Sequence, residues 1–383
     1  MNPLATLASP SIGGSFLAGL PNPIGLNQAL SSLTRGITSG TSGLPIRESL
    51  ELEVSSLLPA DTPLRNRLPR IAGAGLAHAW RQVVNMGGGW GSGTGQPGGG
   101  TAAQAFFAET GAPAELTSAY AAKSAPFRLL GQRGSVTGLA MAAGDSFFNQ
   151  FNREKTHAVM NLMLMEEHAL INGSSSSTAA PWGDGTNALA FDGLTNLIAT
   201  ANGTPTAQVQ TSVGALTLAH LDEQLTRVWS QGGRGLYMVM NAAEMQGLIK
   251  LAEGTGSLIR IQAQGASNKV NLGMLVGGYV HPISGEVVDI LVSRFLAAGT
   301  ILFGSDRGPD GSPAAEVVVL PQVQLPEAAP HQKIQGYVVQ ETAPAHNAPQ
   351  VYGFLVSVFE VLAMKNALVF AKSTGITAPE SGE

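Results

Sequence analysis

The segment 71–135 constrains the fold most. Residues 71–86, IAGAGLAHAWRQVVNM, read as a strand that alternates loosely around Leu76, His78, Trp80 and Gln82. GGGWGSGTGQPGGG follows at 87–100, and SAYAAKSAPFRLLG at 118–131 reads as a second strand pair. Glycine permits tight turns and close backbone approach but weakens helices and strands, so the 87–100 run marks a tip. A compact domain seldom carries a loop of this length. The sequence therefore predicts an extended two-stranded loop over 71–135, reaching onto another subunit.

Composition supports that reading. Charged residues make up 12% of the 383, about half the usual fraction near 25%. A monomer with so few charges has difficulty keeping its surface wetted and free of apolar patches. A subunit that covers much of its surface with neighbours does not face that problem; an uncharged Gly/Ala/Ser-rich surface is the alternative. The hydrophobic fraction of 44% is ample for a core, and the length suits two or three domains at roughly 100–200 residues each.

The rest of the chain divides around the loop. Residues 1–70 form an expected N-terminal arm. Its first 45 residues are rich in Gly, Ser, Pro and Leu, and an amphipathic helix is expected at 46–58, stopped by Pro59 and Pro63. Residues 136–185 hold the strongest helix signal, from about Val136 to Asn172, and then a connector. Phe147, Phe151, Ala158, Leu162, Met165 and Ala169 recur at helical spacing, Arg153, Glu154 and Lys155 occupy the other face, and Gly173 is the expected stop. Residues 186–325 read as an α+β domain, with helices near Leu194–Thr200, Leu216–Ser230 and Ala242–Leu251. A short buried strand lies at Leu236–Asn241, and strands with turns run over Leu272–Val319. Residues 326–383 return to strands and a tail, with KIQGYVVQ and VYGFLVSVFEVLAMKNALVF as the strand-like runs.

Several function classes lose support. The absence of cysteine removes disulfides, thiolate nucleophiles and cysteine zinc sites together. No Lys or Arg precedes Arg35, so the basic start of a signal peptide is missing. No uninterrupted apolar run reaches about 18 residues, so no membrane span is expected; Val351–Phe370 is broken by Glu360 and Lys365. The formal net charge is −5, and Arg65, Arg67 and Arg70 form the only basic cluster, whereas nucleic-acid binders carry a basic patch or tail.

Motifs that carry chemistry are equally sparse. GTGQPG at 93–98 has the dinucleotide glycine spacing, but Pro97 and further glycines follow and no βαβ pattern surrounds it; a loop tip is expected. No lysine follows a glycine, which rules out a P-loop, and G-x-S-x-G and H-E-x-x-H are absent. Glu154 and His157 give a single Glu-x-x-His step where a di-iron site needs two, so a solvated helix face is expected. Glu166, Glu167 and His168 read as capping or pairing groups near the helix end. SDRGPDGS, with Asp306 and Asp310, lacks the spacing and closing glutamate of a calcium loop and reads as a turn. His78, His220 and His281 are read as structural. Trp80 and Trp90 suit contact anchors, with a core position as the alternative for Trp80. No catalytic, cofactor-binding or metal-ligating residue is assigned, and no cofactor is expected.

The order of these parts, with PADTPLRNRLPR at 59–70, MEEHALINGSSSS at 165–177, FDGLTNLI at 191–198 and FEVLAMKNALVFAKSTGI at 359–376, resembles the Hong Kong 97-type fold of tailed-phage major capsid proteins. The resemblance spans roughly 59–376. It implies an α+β subunit with an extended N-terminal arm, a long two-stranded loop, a spine helix, a peripheral domain and an axial domain. It implies no enzyme: hexamers and pentamers would assemble in the host cytoplasm and tile an icosahedral shell, the virion capsid, around double-stranded DNA without reading its sequence. The main partner would be the protein itself, with cement, scaffold and portal proteins as further candidates and no membrane. An encapsulin-type bacterial compartment shell and, less favoured, an α+β enzyme are the alternatives. Some relatives of this fold also join a loop lysine to an asparagine of a neighbour. Here the first lysine is Lys123 and none lies in 86–111, so no covalent cross-link is expected.

Overall fold

A 23-residue helix and two six-stranded sheets organise the chain. The computed structural model describes residues 61–85, 108–111, 119–144, 149–254, 278–321, 331–334, 336–342 and 350–377. The helix expected at 46–58, the 87–100 run and Trp90 lie outside them. The chain divides into units 1–57 and 58–383, and every described residue belongs to the second.

In chain order, a five-residue helix α1 (Pro63–Arg67) leads into β1 (Arg70–Ala72), β2 (Ala77–Asn85), β3 (Ala119–Pro126) and β4 (Arg128–Thr137). Helices α2 (Gly138–Gly144), α3 (Gln150–Asn172) and α4 (Leu194–Leu197) follow. Next come β5 (Val209–Gln210), β6 (Gly214–Ala215), α5 (Leu218–Ser230), β7 (Arg234–Met240) and α6 (Ala242–Gly254). The remaining strands are β8 (Gly278–Val280), β9 (Val287–Val292), β10 (Thr300–Arg307), β11 (Ala315–Leu320), β12 (His331–Ile334), β13 (Tyr337–Thr342), β14 (Val351–Met364), β15 (Ala371–Thr374) and β16 (Ile376–Thr377).

The first sheet is built on β14. Its 14 residues carry β4 along one edge from Val351 to Glu360. The other edge is shared: β13 pairs with Gly353–Ser357, and β11 pairs with Phe359–Met364. β1 adds in parallel beyond β11, and β12 beyond β13. Helix α3 lies across this sheet. Ala158, Val159 and Leu162 meet Phe354, Val356 and Val358 of β14 and Tyr337 and Val339 of β13 in one buried cluster. Alternate strand residues face one side of a sheet, so these five strand residues define the helix-bearing face.

The second sheet runs β5-β15-β10-β7-β9-β8. β7 and β10 form its centre, with Leu236–Met240 and Ile301–Phe303 at most 2% exposed. Strands covered on both faces read as continuous apolar runs rather than alternations, and LYMVM and ILF are such runs. Helix α5 places Leu221, Leu225 and Val228 on that core, and its amphipathic spacing is plain in the sequence. Thr217 starts α5 by accepting a hydrogen bond from the His220 amide at 3.2 Å.

The structure departs from the sequence reading at the start of the long helix. Val136 and Thr137 are not helical. They end β4, paired with Tyr352 and Val351. Both are β-branched and fit a half-buried pleated surface, and the β14 ladder satisfies their backbone groups. The 23-residue helix begins after Asn149, whose side chain accepts from the Asn152 amide at 3.0 Å. It is therefore about 35 Å long at 1.5 Å per residue. Its buried stripe includes Ala158, Leu162 and Ala169 as expected, but it differs at one expected position and takes in charged residues. Met165 is 40% exposed, while Lys155, Glu166 and Glu167 are buried. Gly173 does end the helix, at φ −50° rather than in a left-handed turn. A Cβ there would sit 2.4 Å from the Phe191 carbonyl oxygen, and the Gly193 amide donates to the Gly173 carbonyl at 2.9 Å. The stop is a close approach of two backbones, for which glycine is needed.

The expected loop is only partly a two-stranded excursion. β2 and β3 pair antiparallel, but β4 turns away at Phe127 and joins the first sheet. The sequence-drawn segment 186–325 contains β11, which belongs to the first sheet, and 326–383 contains β15, which crosses to the second. Strand order in the chain carries no signal of such exchanges.

Candidate functional site

The three arginines of the lead-in segment converge with carboxylates far along the chain. Helix α1 places Leu64 and Arg65 in the interior. Its free amides need acceptors, and Glu167 on α3 supplies both oxygens, to Leu64 N at 3.1 Å and Arg65 N at 2.7 Å. One helical position earlier, Glu166 is fully buried and meets the Arg65 guanidinium at 2.8 Å. Arg70 reaches the other oxygen of Glu166 and lies 3.2 Å from Glu360 of β14. The Tyr337 hydroxyl of β13 donates to Glu166, and the Arg65 guanidinium sits 5.4 Å from the Tyr337 ring centre. Arg67 points the other way. It grips Asp306 of β10 through two hydrogen bonds at 2.7 and 2.8 Å, meets Asp289 of β9 at 2.7 Å, and covers the Tyr237 ring at 4.8 Å. Residues 63–70 thus tie α3, the first sheet and the second sheet at one point.

Burial dominates the electrostatics there. It pushes the Glu360 carboxyl up to about 7, with Arg70 and Arg65 only partly offsetting it. Burial also raises Glu167, against the two α1 amides that hold its charge. It lowers Arg70 and pushes the Tyr337 phenol up to about 12. Desolvation of a buried ion pair commonly exceeds its Coulombic gain. Such a network is weak as a source of stability but costly to break from one side. Its consequence is positional: the lead-in segment has one way to sit.

The body side of the β2–β3 hairpin is also anchored. His78, Trp80 and Gln82 of β2 face inward with Ala121, Lys123 and Ala125 of β3. Trp80 packs against the main core, so the core alternative holds for that residue. The Lys123 amine donates to the Asn202 carbonyl at 2.8 Å, and Gln82 donates to the Lys365 carbonyl. Lys365 meets the buried Glu316 at 2.6 Å, with His78 3.9 Å away.

The other residues singled out in the sequence have the following surroundings. His157 is exposed, and Lys155 is buried against Glu341 and the Phe151 ring instead of lying on a solvated face. His168 stacks on Phe295 and meets Trp182 at a tilt. His220 bonds Ser373 at 2.9 Å. Asp310 accepts from the Ser312 amide and hydroxyl, which closes a turn and lowers its pKa. Asp306 serves Arg67. Among the described residues no group of three or more acidic or histidine side chains could hold a metal, and no helix is long and apolar enough to cross a membrane. The sequence signal for the junction is present in Arg65, Arg67 and Arg70, but their partners lie about 100 to 290 positions away.

This architecture is that of Hong Kong 97-type shell proteins. The cyanophage A-1(L) capsid protein matches with a TM-score of 0.63 at 14% identity, over 87% of this chain and 97% of its own. The SrpI encapsulin of Synechococcus elongatus PCC 7942 matches at 0.55 and 15%, over 92% and 97%. The capsid protein of a native GTA particle matches at 0.55 and 13%, over 89% and 96%. No curated protein sequence matches the chain. The sequence profile of the SU10 major capsid protein family matches residues 33–308, and the chain belongs to that family. It is a phage major capsid protein, a structural component of the virion.

Proposed function

We propose that the subunit forms hexamers and pentamers that close into an icosahedral shell around phage double-stranded DNA. The supporting observation is the fixed lead-in segment at 63–70. A shell subunit that lends an arm to its neighbours needs that arm to leave from a defined point, and Arg65, Arg67 and Arg70 fix such a point against α3, the first sheet and the second sheet. In this reading residues 1–70 are the arm, 71–135 the intersubunit loop with β1 and β4 at its ends held in the first sheet, 136–185 and 326–383 the peripheral domain, and 186–325 the axial domain. Assembly takes place in the host cytoplasm. Scaffold, cement and portal proteins are the further partners, and the subunit carries out no catalysis. Many modest contacts per subunit give large avidity without one very tight patch. The arginines face inward to carboxylates, which suits a wall that contains DNA rather than gripping its phosphates.

Electron microscopy of the expressed full chain tests this. Closed shells with five-fold and six-fold clusters are the expected result, and nucleic acid is expected inside particles from the native source. Monomer at all salt and protein concentrations, with scaffold supplied, would overturn it. Protein cargo in place of DNA would favour the encapsulin reading. Shortening Gly87–Gly100 should leave the subunit folded and reduce particle yield; an unchanged yield would remove the intersubunit role from that stretch.

A further inference from the structure

We infer that His281 is an acid-sensitive latch on the β8–β9 hairpin, at the outer edge of the second sheet. The hairpin turn runs from His281 to Glu286. It is closed by the His281 amide on the Glu286 carbonyl and the Gly285 amide on the His281 carbonyl, both at 2.9 Å. The imidazole lies inside this turn, fully buried. Its Nε2 is 3.0 Å from the Thr226 hydroxyl on α5. Its Nδ1 is 2.9 Å from the Ser284 hydroxyl and 3.3 Å from the Ser284 amide.

These partners define the tautomer. The Ser284 amide can only donate, so Nδ1 accepts and carries no proton. The Ser284 hydroxyl accepts from the Glu286 amide at 3.2 Å, which leaves its own hydrogen for Nδ1. Nε2 therefore holds the proton and donates to Thr226. A second proton would have to enter at Nδ1, opposite an amide that cannot turn away without opening the backbone of the turn. Among the described residues, the charged groups that act on the ring are Asp222 on α5, which accepts from the Tyr279 hydroxyl, and Glu286 of the hairpin. Both favour the imidazolium, but burial outweighs them and lowers the histidine pKa.

Opening the turn would release an element with an apolar outer side. Val280 and Val287 are a cross-strand pair at 59% and 61% exposure, and Ile283 in the turn is 57% exposed. Their opposite faces hold the hairpin down, through Val288 in the core and Tyr279 on Asp222. The sign follows from the lowered pKa. The latch is complete above the ordinary histidine range and is lost as pH falls below it, because the opened hairpin takes up a proton that the closed one refuses.

Hydrogen exchange on the full-length protein, corrected for the intrinsic pH dependence of exchange, tests the latch. Between pH 7.5 and 5 the amides of 278–292 should lose protection by up to about tenfold for each step of one in pH once the ring begins to titrate. Those of β10 should hold. His281→Asn, which keeps an acceptor near Nδ1 but cannot take up a proton, should abolish the acid response. Should that variant fail to fold, His281→Gln, which keeps a donor toward Thr226, carries the same expectation. Acid-independent protection in the wild type, or an unchanged acid response in a folded variant, would overturn the inference.

Discussion

The lead-in junction and the centre of the second sheet are both buried, and they are built in opposite ways. At the junction, Glu166, Glu167 and Glu360 are fully buried beside Arg65 and Arg70. At the centre of the second sheet, Met238 to Met240 of β7 pair with Phe303 to Ile301 of β10 in an unbroken apolar stretch. The apolar layer gains from every methylene it removes from water, about 0.8 kcal/mol each. The junction gains little, because each charge loses its hydration. It fixes direction instead, since a guanidinium between two carboxylates tolerates few alternative placements. The two kinds of interior serve different purposes: the apolar layer supplies stability, and the junction fixes where residues 63–70 sit.

The largest effect should come from breaking the junction on one side. Glu166→Ala would leave Arg65 and Arg70 short of a countercharge and the Tyr337 hydroxyl without its acceptor. One-sided loss from a buried ion pair costs about 3–5 kcal/mol. Urea unfolding of the unassembled subunit measures it. A loss under about 1 kcal/mol, the range of solvated surface pairs, would mean that the junction is hydrated rather than buried.

A pH series sharpens the contrast. The Glu360 carboxyl is raised to about 7 by burial, above its ordinary range in the unfolded chain. Between those two values the folded subunit holds a proton that the unfolded chain has released, so stability falls as pH rises through this window and levels off above it. A tenfold difference in proton affinity between the two states corresponds to about 1.4 kcal/mol, so the window spans roughly 3 kcal/mol. Glu360→Gln should flatten that part of the profile and match or exceed the wild type above the window. A slope that survives the substitution would assign it to another carboxyl, with Glu167 the first to examine. The apolar layer should show only packing effects: Ile301→Val should cost about 0.5–1.5 kcal/mol at any pH.

The same contrast decides what can be read from the sequence. The β7, β10 and β14 runs and the amphipathic stripe of α5 are legible because burial leaves a local pattern. Arg65, Arg67 and Arg70 are visible as a cluster, yet their meaning depends on Glu166, Asp306 and Glu360, which no local period connects to them. The long helix is legible, but its start is not. The helix reads as starting near Val136, and only the β14 partner strand reveals that Val136 and Thr137 belong to β4. The stripe is wider than its apolar residues show because buried Lys155 and Glu166 count as solvent-facing in any hydrophobic pattern. The exchange of β11 and β15 between sheets is not legible, since topology is set by pairing at long range.

The smallest expected effect concerns Lys123, where neither charge burial nor apolar packing is at stake. Cross-linking through a loop lysine requires a neutral amine with a base beside it and a partner side chain within reach. The Lys123 amine instead donates to the Asn202 carbonyl of its own chain at 2.8 Å. It lies on β3 opposite Trp80, on the side of the hairpin that rests on the core. A backbone carbonyl is neither a base for that proton nor a substrate for attack, and the contact holds the amine in its own subunit. Replacing Lys123 by Ala should remove one hydrogen bond and cost about 0.5–1.5 kcal/mol. Particle yield should be unaffected. Boiled wild-type particles should run on a denaturing gel as single subunits. A ladder of higher species that persists in denaturant and disappears in Lys123→Ala would show that the hairpin leaves its resting place during assembly, and that this amine finds a second partner there.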